Sequence, residues 1–258
     1  MKNWARRKED CKFRIKIIVP NSKESVRLPN KNRLFRHYTF DFIEEELKTM
    51  PKAWKFEIDE LRNEKVEVDT SADTKYSFNI NPVFCPDEVS NDLKPLLSWY
   101  EQQYNIDSND RSVDFVVLLQ LTQPRRKKGL MREALEKVMT NDGYLCTSYT
   151  VKPFADAWRT IDERTNTWNE AKRNEAEPHL KLYDGGIYVW ANFNPHTINQ
   201  NGLQKFFIDE YYNSKLLWNK DKYKHLVQNN VEHVIDIDTM TDAELFYSTQ
   251  TENEHEQN

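Results

Sequence analysis

The sequence predicts an α/β sandwich built on a largely parallel sheet, and three observations carry that expectation. Segments of strand and helix pattern alternate along most of the chain, as they do when helices cover both faces of a parallel sheet. The run VDFVVLLQL at 113–121 is apolar at nearly every position, which fits a strand buried on both faces rather than one with a wet side. At 258 residues, 38% hydrophobic and 31% charged, the chain is long enough to bury a sizeable core.

Taken in order, FRIKIIV (13–19) is apolar, β-branched and halted at Pro20, and is read as a buried first strand followed by a long loop. TFDFIEEELKTM (39–50) has a Thr cap candidate, early acids and an apolar stripe, and is stopped by Pro51 as a helix would be. VEVDT (66–70) alternates like a strand, whereas 71–90 shows no clear period. NDLKPLLSWYEQQY (91–104) is predicted as a helix, with Pro95 near its first turn. After the central strand, GLMREALEKVMTNDG (129–143) has an amphipathic pattern closed by Gly143. YLCTSYTV (144–151) and GGIYVWANF (185–193) follow as strands, the second entered through a glycine pair. Between them, 155–183 is rich in Trp, Arg, Glu and Asn and is expected to form a hairpin or protruding arm. LQKFFIDEYYN (203–213) is read as a helix, VEHVIDID (231–238) as a strand and TDAELFYS (241–248) as a capped helix. The tail 251–258 is polar and expected to be disordered.

Composition narrows the function classes. A net charge of −5 argues against a dedicated nucleic-acid binder. No apolar run reaches the length of a membrane span, and the segment MKNWARRKEDCKFR lacks the apolar centre of a secretory signal. Three dispersed cysteines (Cys11, Cys85, Cys146) suggest reduced thiols and a cytoplasmic location. The six histidines show no metal-ligand spacing, so no histidine zinc site is expected. None of the five glycines precedes Gly129. A Walker loop or dinucleotide fingerprint in the first half is therefore excluded.

Ligands collect at the carboxyl ends of parallel strands, and three polar stretches fall there. In the first, Ser22, Lys23, Ser25, Arg27 and Lys31 follow strand one. These point charges, a bidentate fork and small hydroxyl donors suit a polyphosphate, although a solvated basic loop has the same composition. In the second, Gln120, Thr122 and Arg126 follow the central strand, where an amide can donate and accept toward a sugar or base. A polar strand end with a basic surface patch is the alternative. In the third, Asp236 and Asp238 alternate in VIDIDTMTD, so in a strand they share one face with Cα atoms about 6.5 Å apart. Two such carboxylates suit a hard cation such as magnesium, or else solvated acids ahead of a helix cap at Thr241.

In this order the stretches resemble the cytidylyltransferases that activate acidic sugars, the CMP-acylneuraminate synthetase family. Pro20, Ser25, Arg27, Pro29, Lys31 and Asn32 match that family's opening motif, and Gln120, Thr122, Pro124 and Arg126 match its central one. Gly185, Ile187 and Tyr188 match a later strand motif, as do Ile235 to Thr239 and Asp242 the last. The family's loop arginine is Ser22 here, its glycines fall on Lys23 and Glu24, and its strand asparagine is Asp184.

The resemblance spans about residues 13–250, and ordered motifs are more specific than any single one. It implies one domain over 1–250 with a three-layer α/β/α, glycosyltransferase-A-like nucleotidyltransferase fold. It further implies transfer of CMP from CTP to a sialic-acid-like or octulosonate acceptor with release of pyrophosphate. Lys31, Arg27, Asp236 and Asp238 would be catalytic, the two aspartates holding Mg2+. Ser22, Lys23, Ser25, Asn32 and Thr122 would bind the nucleotide, while Gln120, Arg126, Asp184 and Tyr188 would meet the sugar acid. Residues 152–183 would build a homodimer, with no nucleic-acid or membrane partner. A binding module without catalysis and a metal-dependent glycosyltransferase using a sugar nucleotide remain the alternatives.

Overall fold

The computed structural model describes residues 12–21, 35–65, 68, 70–71, 73–90, 93–104, 113–140, 145–153, 161–162, 167–168, 179–191, 224–229, 237 and 241–246. Within them lie strands β1 (Arg14–Asn21), β2 (Lys55–Asn63), β3 (Ile80–Cys85), β4 (Phe115–Leu118), β5 (Leu145–Pro153), β6 (Ile161–Asp162), β7 (Thr167–Trp168), β8 (His179–Ala191) and β9 (Lys224–Gln228). The helices are α1 (Phe35–Leu47), α2 (Asp87–Ser90), α3 (Leu93–Tyr104) and α4 (Leu130–Thr140), with a further short helix over 241–246. Seven strands form one sheet in the order β3-β2-β1-β4-β8-β5-β9, and β6 and β7 pair separately. β8 runs antiparallel to both β4 and β5, while the other pairings in the large sheet are parallel.

The layers follow from alternation along each strand. Ile15, Ile17, Val117, Cys146, Ile187 and Val189 pack with Phe40 and Ile43 of α1 and Leu130, Ala134 and Leu135 of α4. Their neighbours Ile18, Val116, Leu118, Tyr188 and Trp190 pack on the other face with Leu96, Leu97 and Tyr100 of α3. Both faces of the central strands are covered, so their sequence is apolar without a break. Three layers result, as the resemblance implied.

Several local expectations are corrected. The second strand is β2 at Lys55–Asn63, not 66–70, of which Val68 and Thr70 have irregular backbone. Helix α1 begins at Phe35, four residues before the predicted Thr39 cap. Thr39 is instead buried inside the helix and accepts a hydrogen bond from Arg126 Nη1 at 3.2 Å. The region without a clear period contains β3 and α2. The glycine pair does not open its strand but lies within β8, which begins at His179. The helix expected at 203–213 and the cap at Gly143 fall outside the described residues, as does most of the strand expected at 231–238.

One long-range cap ties the α1–α4 layer together. Glu46, near the end of α1, is buried and accepts from the backbone N–H of Met131 at 3.0 Å and Arg132 at 3.2 Å, and from that of Gly129. These are the unsatisfied donors of an N-terminal helical turn, where a carboxylate is favoured. Gly129 takes φ +82°, the left-handed turn that brings the chain into α4.

Candidate active site at the carboxyl edge of the sheet

β1, β2 and β4 are parallel and in register at their ends, with Asn21 opposite Arg62 and Ile18 opposite Leu118. The carboxyl ends of these strands therefore lie along one edge. Beyond β4 the chain turns at Gln120–Gln123, closed by Gln123 N–H to Gln120 C=O at 3.3 Å.

Arg126 lies beneath this turn. Its Nε donates to Gly186 O at 2.6 Å and its Nη2 to Gln120 O at 2.5 Å, and its guanidinium lies 5.5 Å from the Phe42 ring centroid. Burial pushes the guanidinium down to about 9 against the attraction of Asp184, so it keeps its charge at neutral pH. Arg126 thus joins α1, the β4 turn and β8 through protein acceptors.

The middle of β8 is irregular. Pairing with β5 slips between Thr147 and Tyr149, and side chains replace the missing ladder bonds. Ser148 Oγ accepts from Ile187 N–H at 3.1 Å and donates to Asp184 Oδ1, which also accepts from Gly186 N–H at 2.9 Å. The other carboxylate oxygen of Asp184, Oδ2, is buried and has no hydrogen-bond partner among the described residues. Irregularities of this kind re-aim side chains next to functional sites.

Both glycines here are required. Gly185 has φ +65°, and a Cβ on Gly186 would lie 2.9 Å from Ser148 Oγ, 3.1 Å from Asp184 Oδ1 and 3.2 Å from Asn229 Nδ2. Around Gly185, Gln120 Oε1 and Tyr188 OH approach to 3.3 and 3.7 Å of the position a Cβ would take. Gln120, Asp184 and Tyr188, which the resemblance assigns to one substrate, are thus neighbours. Asn229, after β9, locks the rear: its Oδ1 accepts from Lys127 N–H at 2.8 Å and its own N–H donates to Tyr149 O at 2.9 Å.

The last motif reaches the same place. Ile237 N–H donates to Thr122 O at 2.9 Å, and its side chain is buried with Phe35, Ala243 and Phe246. Asp236 and Asp238 flank Ile237 in sequence but lie outside the described residues. So do Ser22, Lys23, Ser25, Arg27, Lys31 and Asn32. Among the described residues no group of three or more His, Cys, Asp or Glu side chains converges as a metal site. The oxygen-only chemistry of the Asp236 and Asp238 pair suits a hard divalent cation.

Sequence reasoning missed Ser148, Asn229 and the charged end of β2. Glu60 is fully buried and bonded to Asn21, Arg36 and Arg62. A strand carrying Glu60 and Arg62 inward has no apolar alternation to detect. Cys85 and Cys146 are buried free thiols. Burial pushes Cys85 up and Cys146 up to about 12, so neither is a ready nucleophile.

No helix among the described residues is long and apolar enough to cross a membrane. Comparison with protein-family models and with curated proteins finds no match for this sequence. Solved structures do match over nearly the whole chain. A 4-diphosphocytidyl-2C-methyl-D-erythritol synthase from Anaerococcus prevotii superposes with TM-score 0.58 at 16% identity, covering 94% of this chain and 97% of the other. A CMP:2-keto-3-deoxy-manno-octonic acid synthetase complexed with CTP gives 0.56 at 13%, over 93% and 99%. A 2-C-methyl-D-erythritol 4-phosphate cytidylyltransferase from Thermus thermophilus gives 0.51 at 11%, over 90% and 97%. At such identities the likeness is one of fold: this chain is built on the same α/β architecture as these cytidylyl-transferring enzymes.

Proposed function

We propose that the chain is a nucleotidyltransferase that moves CMP from CTP onto an acidic keto-sugar, releasing pyrophosphate. The observation that carries this reading is the Ile237–Thr122 backbone bond. It fixes Ile237, the residue between the paired aspartates in the sequence, to the turn after β4 that begins at Gln120. The shared architecture with cytidylyl-transferring structures supports the same reaction class.

In this reading the acceptor's anomeric hydroxyl oxygen attacks the α-phosphorus in line. The bond from that phosphorus to the bridging oxygen breaks, pyrophosphate leaves, and the hydroxyl proton is released to solvent. Lys31, Arg27 and Lys23 neutralise phosphate charge as it shifts to the leaving group, with Ser22, Ser25, Asn32 and Thr122 completing the nucleotide subsite. Asp236 and Asp238 would hold Mg2+, which would supply Lewis-acid stabilisation of the phosphates when bound. Gln120, Asp184 and Tyr188 orient the acceptor, and Arg126 braces the turn that carries Gln120. Residues 152–183 serve as the dimer contact and the protein works in the cytoplasm.

The test is a pyrophosphate-release screen of the four nucleoside triphosphates against nonulosonic and octulosonic acids. CTP-dependent release with at least one sugar acid is expected. Transfer from sugar nucleotides without pyrophosphate would replace this reading with glycosyl transfer, and failure to bind any triphosphate would leave a non-catalytic module.

A further inference from the structure

Ser148 has no role in the reaction proposed above, yet it stands at the point where β5 and β8 part. The two strands pair at Thr147 with Tyr188 and again at Tyr149 with Tyr183, so residues 184–187 of β8 all lie opposite Ser148. An excursion of this length forfeits its ladder hydrogen bonds, and buried backbone groups without partners are costly. Hydroxyls of β5 take over. Thr147 Oγ1 donates to Ile187 O at 3.1 Å, and Ser148 Oγ accepts from Ile187 N–H at 3.1 Å. Ser148 Oγ gives its own proton to Asp184 Oδ1, which also accepts from Gly186 N–H at 2.9 Å. One fully buried serine therefore grips both ends of the excursion. A hydroxyl suits this place because it donates and accepts at once, whereas an alanine does neither.

The middle of the excursion is held to the β4 turn. Arg126 Nε donates to Gly186 O and its Nη2 to Gln120 O. Next to Gly186, Gln120 Oε1 and Tyr188 OH come within 3.3 and 3.7 Å of the place a Cβ on Gly185 would take. Arg126 thus ties the glycine pair to Gln120, and Ser148 ties the same stretch to β5. A glycine pair has a permissive backbone of its own, so these anchors decide where it lies. Irregular strand pairings of this kind re-aim side chains beside functional sites.

We propose that Ser148 is a positioning residue for the acceptor subsite: by clasping Asp184 and Ile187 it fixes the β8 excursion against β5, and so the spacing of Gln120 and Tyr188 around Gly185. This rests on the reading of Gln120, Asp184 and Tyr188 as the acceptor's contacts. The excursion carries none of the candidate nucleotide contacts, so loosening it weakens acceptor binding and leaves CTP binding alone.

The experiment uses the full chain with Ser148→Ala and the milder Ser148→Cys, whose thiol is a weak donor and acceptor, each shown folded by circular dichroism at the assay temperature. Amide hydrogen exchange followed by NMR compares Ile187 with the amides of β1 and β4. Steady-state kinetics compare the KM for CTP with the KM for the sugar acid of highest turnover in the pyrophosphate screen. In Ser148→Ala the Ile187 amide should exchange about tenfold faster or more, with β1 and β4 unchanged. The acceptor KM should rise about tenfold while the CTP KM stays within about twofold. Ser148→Cys should move both readouts the same way by less, and it alone serves if Ser148→Ala does not fold. A wild-type acceptor KM in a folded variant overturns the proposal even where Ile187 exchanges faster, because the clasp is then only structural. An equal rise in both KM values overturns it too. If the wild type releases no pyrophosphate from CTP with any sugar acid, the underlying reading fails, and faster exchange then leaves Ser148 as a brace of the fold without a role at an acceptor.

Discussion

The backbone N–H of Ile237 donates to the carbonyl of Thr122 across 2.9 Å, joining positions that lie over a hundred residues apart in sequence. Through this bond Ile237, which stands between Asp236 and Asp238 in the sequence, is anchored beside the β4 turn. If those aspartates hold the metal, Asp236→Ala or Asp238→Ala should lower the rate of pyrophosphate release by about a hundredfold or more. The midpoint of thermal unfolding should stay within a few degrees, because Ile237 remains in place. Normal turnover by the double variant would remove the metal assignment.

Arg126→Ala should destabilise the protein by about 3 kcal/mol. Three acceptors, Gly186 O, Gln120 O and Thr39 Oγ1, lose their donor at once, and each such loss in a buried site costs about 1 kcal/mol or more. Arg126→Lys cannot span the three directions and should recover only part of this. Urea unfolding at neutral pH measures both.

Gly186→Ala should cost about 1–3 kcal/mol, since the new methyl would press on the side-chain ends of Ser148, Asp184 and Asn229, which short chains and buried hydrogen bonds hold in place. Gly129→Ala meets nothing within 4 Å and should cost only the left-handed backbone penalty, about 1–2 kcal/mol. If Gly186→Ala were also to spare acceptor binding, the irregularity in β8 would have no part in the site. Paired denaturation curves and acceptor KM values make the comparison.

The pH dependence of stability should carry the signature of Glu60. Burial alone would raise this carboxyl, but Arg36 and Arg62 hold it below its ordinary value. Between the depressed value and the ordinary one the unfolded chain binds more protons, so stability rises with pH across that window. The contribution is complete above about pH 4.3, the ordinary glutamate value, and is lost as the pH falls through the depressed value. The stability gap between wild type and Glu60→Gln should therefore narrow on acidification below about pH 4. Glu46 runs the other way. Burial raises its carboxyl despite three N–H donors, so its contribution is full below its ordinary value and declines as pH rises through the folded one. Chemical denaturation of Glu60→Gln and Glu46→Gln beside the wild type from pH 3 to 7 tests the opposite slopes.

The layered class and the elements β1, α1, α3, β4, α4 and β5 were legible because they follow from local pattern. A continuous apolar run such as Phe115–Leu119 is what a strand covered on both faces requires, and the α4 stripe matches its buried face. The grouping of Gln120, Asp184 and Tyr188 was implied by the family resemblance and not by strand order, since Asp184 and Tyr188 lie inside β8 rather than after a strand.

The second strand was not legible. Asp59, Glu60 and Arg62 read locally as solvated charges, and the groups that permit their burial lie on β1, β3, α1 and α3. Lys16, Asn81 and Tyr100 bond Asp59, while Asn21 and Arg36 bond Glu60. The direction of Arg126 was hidden for the same reason: besides the nearby Gln120 carbonyl, its acceptors are the Thr39 hydroxyl and the Gly186 carbonyl, both on distant segments.

By itself, then, the sequence determined the segments of β1, β4, β5, α1, α3 and α4, where an apolar pattern is sustained over a long run, and which polar stretches come after the strands. Only the tertiary structure decided that β8 runs against its neighbours, that Arg126 braces the site from beneath, and that Glu60 is bonded to Asn21, Arg36 and Arg62. Periodicity is a property of neighbouring residues, whereas the burial of a charge is possible only where a partner from elsewhere in the chain arrives to meet it.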